Sequence, residues 1–145
     1  MISLLKLLLI LPLLLLAGSV ASESADTTDE PPQTIKEIMN NVIAPTTAII
    51  WGASELKTDT EWQAVENAAL GVIAAGNLLT TGSADEDTRN KASEADWQNY
   101  NSQMIAAARQ VLTAVQARDE EALFTVGNDA LYPPCESCHQ KYQAR

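Results

Sequence analysis

The sequence predicts an all-α protein folded as an antiparallel up-and-down four-helix bundle, and three observations predict it. Apolar residues recur at steps of three and four through four successive segments. The connections between those segments are short, which favours antiparallel neighbours. Aromatic residues make up only 5% of the chain, and its Val, Ile and Thr residues are scattered rather than alternating, so a sandwich or barrel lacks its material. At 145 residues there is room for one domain and not for two sizeable ones.

Residues 1–21 read as a secretory signal peptide, with one positive charge at Lys6, an apolar run from Leu7 to Ala17, and small residues Ser19 and Ala21 ahead of Ser22. A spanning helix needs about 20 apolar residues; this run is shorter and contains Pro12. Residues 22–33, SESADTTDEPPQ, are polar, acidic and proline-ended, and are expected to form a disordered lead into a bundle domain over 34–145. The first helix carries Ile35, Ile38, Met39, Val42 and Ile43 on one stripe, opened by a capping box of Thr34 and Glu37. Pro45 removes a backbone donor and is expected to kink or break this helix near Asn41 to Ala44, after which the stripe resumes at Ile49, Ala53 and Leu56.

The second helix is expected to start after Asp59 or Thr60, to bury Trp62, Val65, Ala69, Val72, Ile73 and Leu79, and to stop at Gly82. Residues 82–92, GSADEDTRNKA, lack apolar periodicity and hold Asp85, Glu86 and Asp87 in a row, so a solvated loop is expected. The third helix carries Trp97, Tyr100, Met104, Ala108, Val111, Leu112 and Val115, with Ala106, Ala107 and Ala108 offering a place for close backbone approach. Asp119 is expected to cap a fourth helix that places Ala122, Leu123, Val126 and Ala130 on one face until Pro133 and Pro134 interrupt it. A last short helix is expected over Cys135 to Gln143.

Nine basic against nineteen acidic side chains give a net charge of -10 at pH 7. Such a chain repels phosphate backbones and anionic headgroups, so neither nucleic acid nor, once the signal peptide is removed, a membrane is an expected partner. A positively charged protein is the better expectation. The acids at Asp85 to Asp87 and Asp119 to Glu121 read most simply as solvated faces.

The chemical inventory is small: two cysteines and one histidine. All three fall in the C-terminal LYPPCESCHQKYQAR, where Cys135, Cys138 and His139 stand at the spacing that attaches c-type haem. Two thiols three positions apart on a helical turn can each add to one porphyrin vinyl group as thioethers, while the next residue's imidazole reaches the iron as proximal ligand. A zinc site would be one ligand short of four. A thioredoxin-like pair would open a helix after a strand, and no βαβ pattern exists here. A disulfide remains open in an exported protein, but gives His139 no reason to follow Cys138. With no second histidine, bis-histidine ligation is excluded, so the other face of the iron takes methionine, a weaker ligand, or nothing.

The run CESCHQKY near the C-terminus, with Tyr142 three residues after His139, resembles the class II c-type cytochromes, the cytochrome c-prime and cytochrome c-556 family. A first-helix methionine, Trp97 opening the third helix and ARDEEAL leading into the fourth extend the likeness over roughly residues 34–145. It implies a left-handed four-helix bundle with covalent haem near one end, often a homodimer, in the periplasm of a bacterium. In that family a first-helix residue faces the distal side of the iron: methionine in low-spin electron carriers, an apolar side chain in five-coordinate members. Met39 is the matching candidate, and Met104 a second. Two positions depart from the pattern. Gln143 stands where the family commonly has a basic residue, and Pro133 and Pro134 break a helix that usually runs into the motif.

These readings set the functional expectation. One haem c, with its iron, is held by Cys135 and Cys138 and ligated by His139. If Met39 takes the sixth position, the protein suits single-electron transfer, with the acidic faces docking a basic redox partner. If that position is open and walled by Ile35, Ile38 and Val42, small uncharged ligands such as NO or CO can bind. Neither role needs a catalytic base and none is found, so an electron carrier or haem-binding protein, rather than an enzyme, is expected.

Overall fold

A computed structural model describes residues 33–81 and 86–143. The expected signal peptide, the lead up to residue 32, the stop at Gly82 and Arg145 lie outside the described residues. Among the described residues there is no strand, and the fold is all-α. None of these helices is long and apolar enough to cross a membrane.

The chain opens with α1 (Ile35–Ile38), which passes through a π turn (Met39–Ile43) into α2 (Ala44–Gly52). The expected capping box is present: Glu37 N donates to Thr34 Oγ1 at 3.2 Å, and Thr34 N donates to Glu37 Oε2 at 2.8 Å. Of the two expected outcomes, a kink or a break near Asn41 to Ala44, the break does not occur; a π turn over Met39–Ile43 stands there instead. The Ala44 amide reaches back five residues to the Met39 carbonyl instead of four, and this wider turn gives the proline ring room. Two hydroxyls also donate to carbonyls of the turn: Thr46 Oγ1 to Val42 O at 2.6 Å and Thr47 Oγ1 to Ile43 O at 2.8 Å. The extra residue also shifts the buried face. Ile50 is 3% exposed whereas Ile49, expected in the stripe, is 44% exposed.

The long helices α3 (Asp59–Thr81) and α5 (Ala95–Ala117) pack most heavily against each other. Ahead of α3, Thr58 and Glu61 form a second box that the sequence reading passed over, with Lys57 N and Thr58 N donating to Glu61 Oε2 at 2.8 and 2.7 Å. The facing surfaces are built from small residues: Ala68, Ala69, Ala75 and Gly76 on one side, Ala107 and Ala108 on the other, all buried. Ala106, the third of the expected alanines, is exposed. Polar ties lock the register of the pair, with Trp97 Nε1 donating to Leu79 O at 2.9 Å and Asn101 Nδ2 to Gly76 O at 2.8 Å. Residues 82–92 are not simply a solvated loop. They include α4 (Glu86–Ala92), whose Thr88 and Ala92 are buried against the long helices, a contact that local polarity does not reveal.

The last stretch runs α6 (Glu120–Thr125), a second π turn (Val126–Leu131) and α7 (Tyr132–Tyr142). Asp119 caps it as expected, accepting from Ala122 N at 2.9 Å. Pro133 and Pro134 do not interrupt it. They sit in the first turn of α7, and the π turn ahead of them, closed by Tyr132 N donating to Gly127 O, accommodates both rings. Steps of four through this wide turn bury Leu123, Gly127 and Leu131, leaving Ala122, Val126 and Ala130 half-buried beside them. Glu120 is also no mere solvating acid. Its carboxylate accepts from Glu55 N at 2.9 Å and Leu56 N at 2.7 Å, holding the α2–α3 connection where Glu55 turns through a φ of 53°.

Two outcomes test this packing. A Cβ on Gly76 would stand 2.5 Å from Ile105 Cγ1 and 2.9 Å from Cδ1. Gly76→Ala is therefore expected to destabilise the fold by about 1–3 kcal/mol, against the gain of about 1 kcal/mol that alanine brings a helix. In an Ile105→Ala background, which removes both atoms and leaves only Asn101 Oδ1 at 3.3 Å, urea titration should find the cost of Gly76→Ala sharply reduced. Backbone hydrogen bonds from Lys57 and Thr58 hold the Glu61 carboxyl below its ordinary 4.5. That contribution is present above 4.5 and is lost as pH falls through the lower folded value. Glu61→Gln should then lower stability at pH 7 and flatten the acid limb of a melting-temperature profile.

Candidate functional site

Between α7 and a wall made by α1, the first π turn, α2, α3, α4 and α5 lies a cavity of about 850 Å³, at the upper end of the roughly 300–1,000 Å³ typical of small-molecule sites. Cys135, Cys138 and His139 line one side of it, so the three motif residues are brought together on the cavity wall. Met39 and Met104 both line it as well, from the first π turn and from α5. Of the candidate wall residues for an open sixth position, Ile35 lines the cavity; Ile38 is buried in the core, and Val42 packs half-buried against that core without lining the cavity.

The first helical rod contributes an unusual stripe. Ile35, Met39, Ile43, Thr47 and Trp51 all line the cavity, at successive steps of four. In a straight α-helix each step of four overshoots a full turn by about 40°, which would carry Trp51 well round from Ile35. The π turn winds part of that drift back. Sequence reading found Met39 and missed Thr47 and Trp51, because a stripe with a threonine in it does not register as apolar. Trp51 is fixed by its indole Nε1, which donates to Gly127 O at 3.0 Å, and by an edge contact with Tyr132, ring centroids 6.2 Å apart.

The far end of α7 is pinned to the start of α5. Lys141 Nζ donates to Asp96 Oδ2 at 2.7 Å and lies 3.4 Å from Glu94 Oε2, while Tyr142 OH donates to Glu94 Oε2 at 2.8 Å. The Tyr142 ring stacks edge-on against Trp97, centroids 5.1 Å apart. The hydrogen bond to Asp96, with a smaller one to Tyr142, holds the Lys141 ammonium well above the ordinary lysine range. Gln143, in place of the basic residue expected from the family pattern, lines the cavity.

Both cysteines are free thiols and half-buried. Burial, followed by the neighbouring Cys138, pushes the Cys135 thiol up to about 11, and burial raises Cys138 as well. Burial thus disfavours the thiolate at both positions, the opposite of the depressed thiols of redox catalysts. Among the described residues, no three His, Cys, Asp or Glu side chains converge to hold a bare metal ion. The donor set thus consists of two thiols and an imidazole on one wall, and two thioethers from other elements, around a largely apolar space. That chemistry fits a flat apolar macrocycle carrying iron.

The raised thiols make a pH prediction for the haem-free reduced chain. Their neutral forms favour the folded state, so that stability is intact below 9 and declines as pH rises toward about 11. Alkylation of Cys135 by iodoacetamide should be slower than that of free cysteine at pH 8 and should keep accelerating above pH 9, with ordinary reactivity restored in urea. Compared with family models, curated proteins and solved structures, the chain has no match.

Proposed function

We propose that this chain is an exported c-type cytochrome of the class II type, an antiparallel up-and-down four-helix bundle that moves single electrons in the bacterial periplasm. The observation that carries the reading is the cavity wall on which Cys135, Cys138 and His139 meet, with Met39 and Met104 reaching the same space. Cys135 and Cys138 would hold a haem by adding their S–H groups across its two vinyl groups, and His139 would ligate the iron. Haem bound there supplies a one-electron couple at the iron.

The remaining work falls to the chain's own residues. Ile35, Ile43 and Leu79 line the space with hydrocarbon. Lys141 and Tyr142, through Asp96, Glu94 and Trp97, hold the helix that presents His139 in one position, which limits the rearrangement an electron transfer has to drive. Met39, half-buried on the cavity wall, is the proposed sixth ligand. Thioether ligation by Met39 would favour the reduced iron. The stretch from Asp119 to Gln140 contains five acids and no lysine or arginine, which suits docking of a basic redox partner beside the haem-bearing helix.

Mass spectrometry of the exported protein should find one haem attached. Cys138→Ala is expected to leave one thioether and sharply reduce holoprotein. Met39→Ala is expected to keep attachment while abolishing the far-red sulfur-to-iron band of the oxidised protein and turning its spectrum high-spin. No attached haem sinks the reading. A high-spin wild type that binds CO rapidly instead makes the protein a five-coordinate binder of NO or CO, and leaves Met39 as packing.

A further inference from the structure

We propose that Pro45, through the π turn before it, is a positioning residue that sets Met39 deeper on the cavity wall than its more exposed neighbour Asn40. This rests on the haem reading above and deepens it: the register of one turn decides which side chain can reach the far face of the iron.

The argument begins with the backbone. The Ala44 amide bonds to Met39 O, one residue further back than in an α-helix, and residue 45 has no amide hydrogen to offer the Asn41 carbonyl four residues before it. The buried positions record the same extra residue. Ile38 and Ile43 are buried five apart, and the next buried positions, Thr47 and Ile50, follow at ordinary helical steps. Thr46 and Thr47 complete the arrangement by donating to carbonyls within the turn. On the far side α2 is anchored by Ile50 in the core and by the Trp51 indole on Gly127 O.

With residue 45 able to donate, nothing obliges the turn to stay wide. Held at α2, a helix tightened by one residue rotates everything before it by one position. Asn40 then takes the place of Met39, and Met39 takes that of Ile38. Methionine fills such an apolar site readily, so the chain retains a core while the cavity loses its thioether. The segment is poised for this exchange because Asn40 already touches the cavity margin and is otherwise exposed.

The test is Pro45→Ala in the full-length holoprotein, read in three ways. Covalent haem mass should be unchanged, and the far-red sulfur-to-iron band should be lost. The Ile38 methyl, protected in the wild type, should show a several-fold rise in relaxation by a soluble gadolinium chelate, measured on reduced protein. Deleting Asn41 in the Pro45→Ala chain removes the surplus residue and should restore both the band and the protection, which a general loss of stability would not do. A Pro45→Ala protein that keeps the band and a protected Ile38 overturns the proposal, as does a haem-bearing wild type without the band. Should no haem be attached at all, the haem reading fails separately, and the Ile38 measurement still decides the register of the turn.

Discussion

Proline brings two demands into a helix: its ring needs space where the preceding turn would put a carbonyl, and that carbonyl loses a donor. Here the space is found twice by the same means, a π turn directly ahead of Pro45 and another ahead of Pro133 and Pro134. Much of the architecture follows. The first π turn keeps Met39, Ile43, Thr47 and Trp51 on one side of the rod, and the second brings Leu131 into the core and starts α7 with its cysteines beside the cavity. The two are joined, since Gly127 O accepts both the Tyr132 amide of its own turn and the indole of Trp51. A side chain on Gly127 would lie 3.3 Å from Trp51 Cδ1, so the missing Cβ is what lets the tryptophan sit down on that carbonyl.

The all-α class, the extents of the long helices, and the caps at Thr34 and Asp119 were legible in the sequence, because each depends on residues within a turn or two of one another. The motif at Cys135 to His139 was legible for the same reason. What escaped were the consequences of a single inserted residue. Periodicity assumes one pitch throughout, so it put Ile49 in the buried stripe in place of Ile50, and it took Pro133 and Pro134 to interrupt their helix. Glu120 was misread for a different reason: its partners, the amides of Glu55 and Leu56, are 65 and 64 positions away. The same blindness to distant partners hid α4, whose buried Thr88 and Ala92 make sense only once α3 and α5 are in place.

The site itself was half legible. Three donors were named because they are consecutive in a recognisable spacing, whereas the opposite walls are assembled from scattered elements. Met39 was found because it sits among isoleucines; Trp51 and Asn101 were not. Asn101 is instructive: its amide nitrogen bonds Gly76 O and Thr80 Oγ1, while its buried Oδ1 has no partner among the described residues. Those two partners lie 25 and 21 positions back, out of reach of any local pattern.

Two of the three tryptophans, Trp51 and Trp97, line the cavity, and each is held in a fixed orientation by an indole hydrogen bond to a carbonyl. The third, Trp62, is buried elsewhere in the core. The protein therefore carries its own optical gauge. Any occupant of the cavity that absorbs in the near ultraviolet will quench the emission of the two indoles on its wall by energy transfer, so filling can be followed without a label.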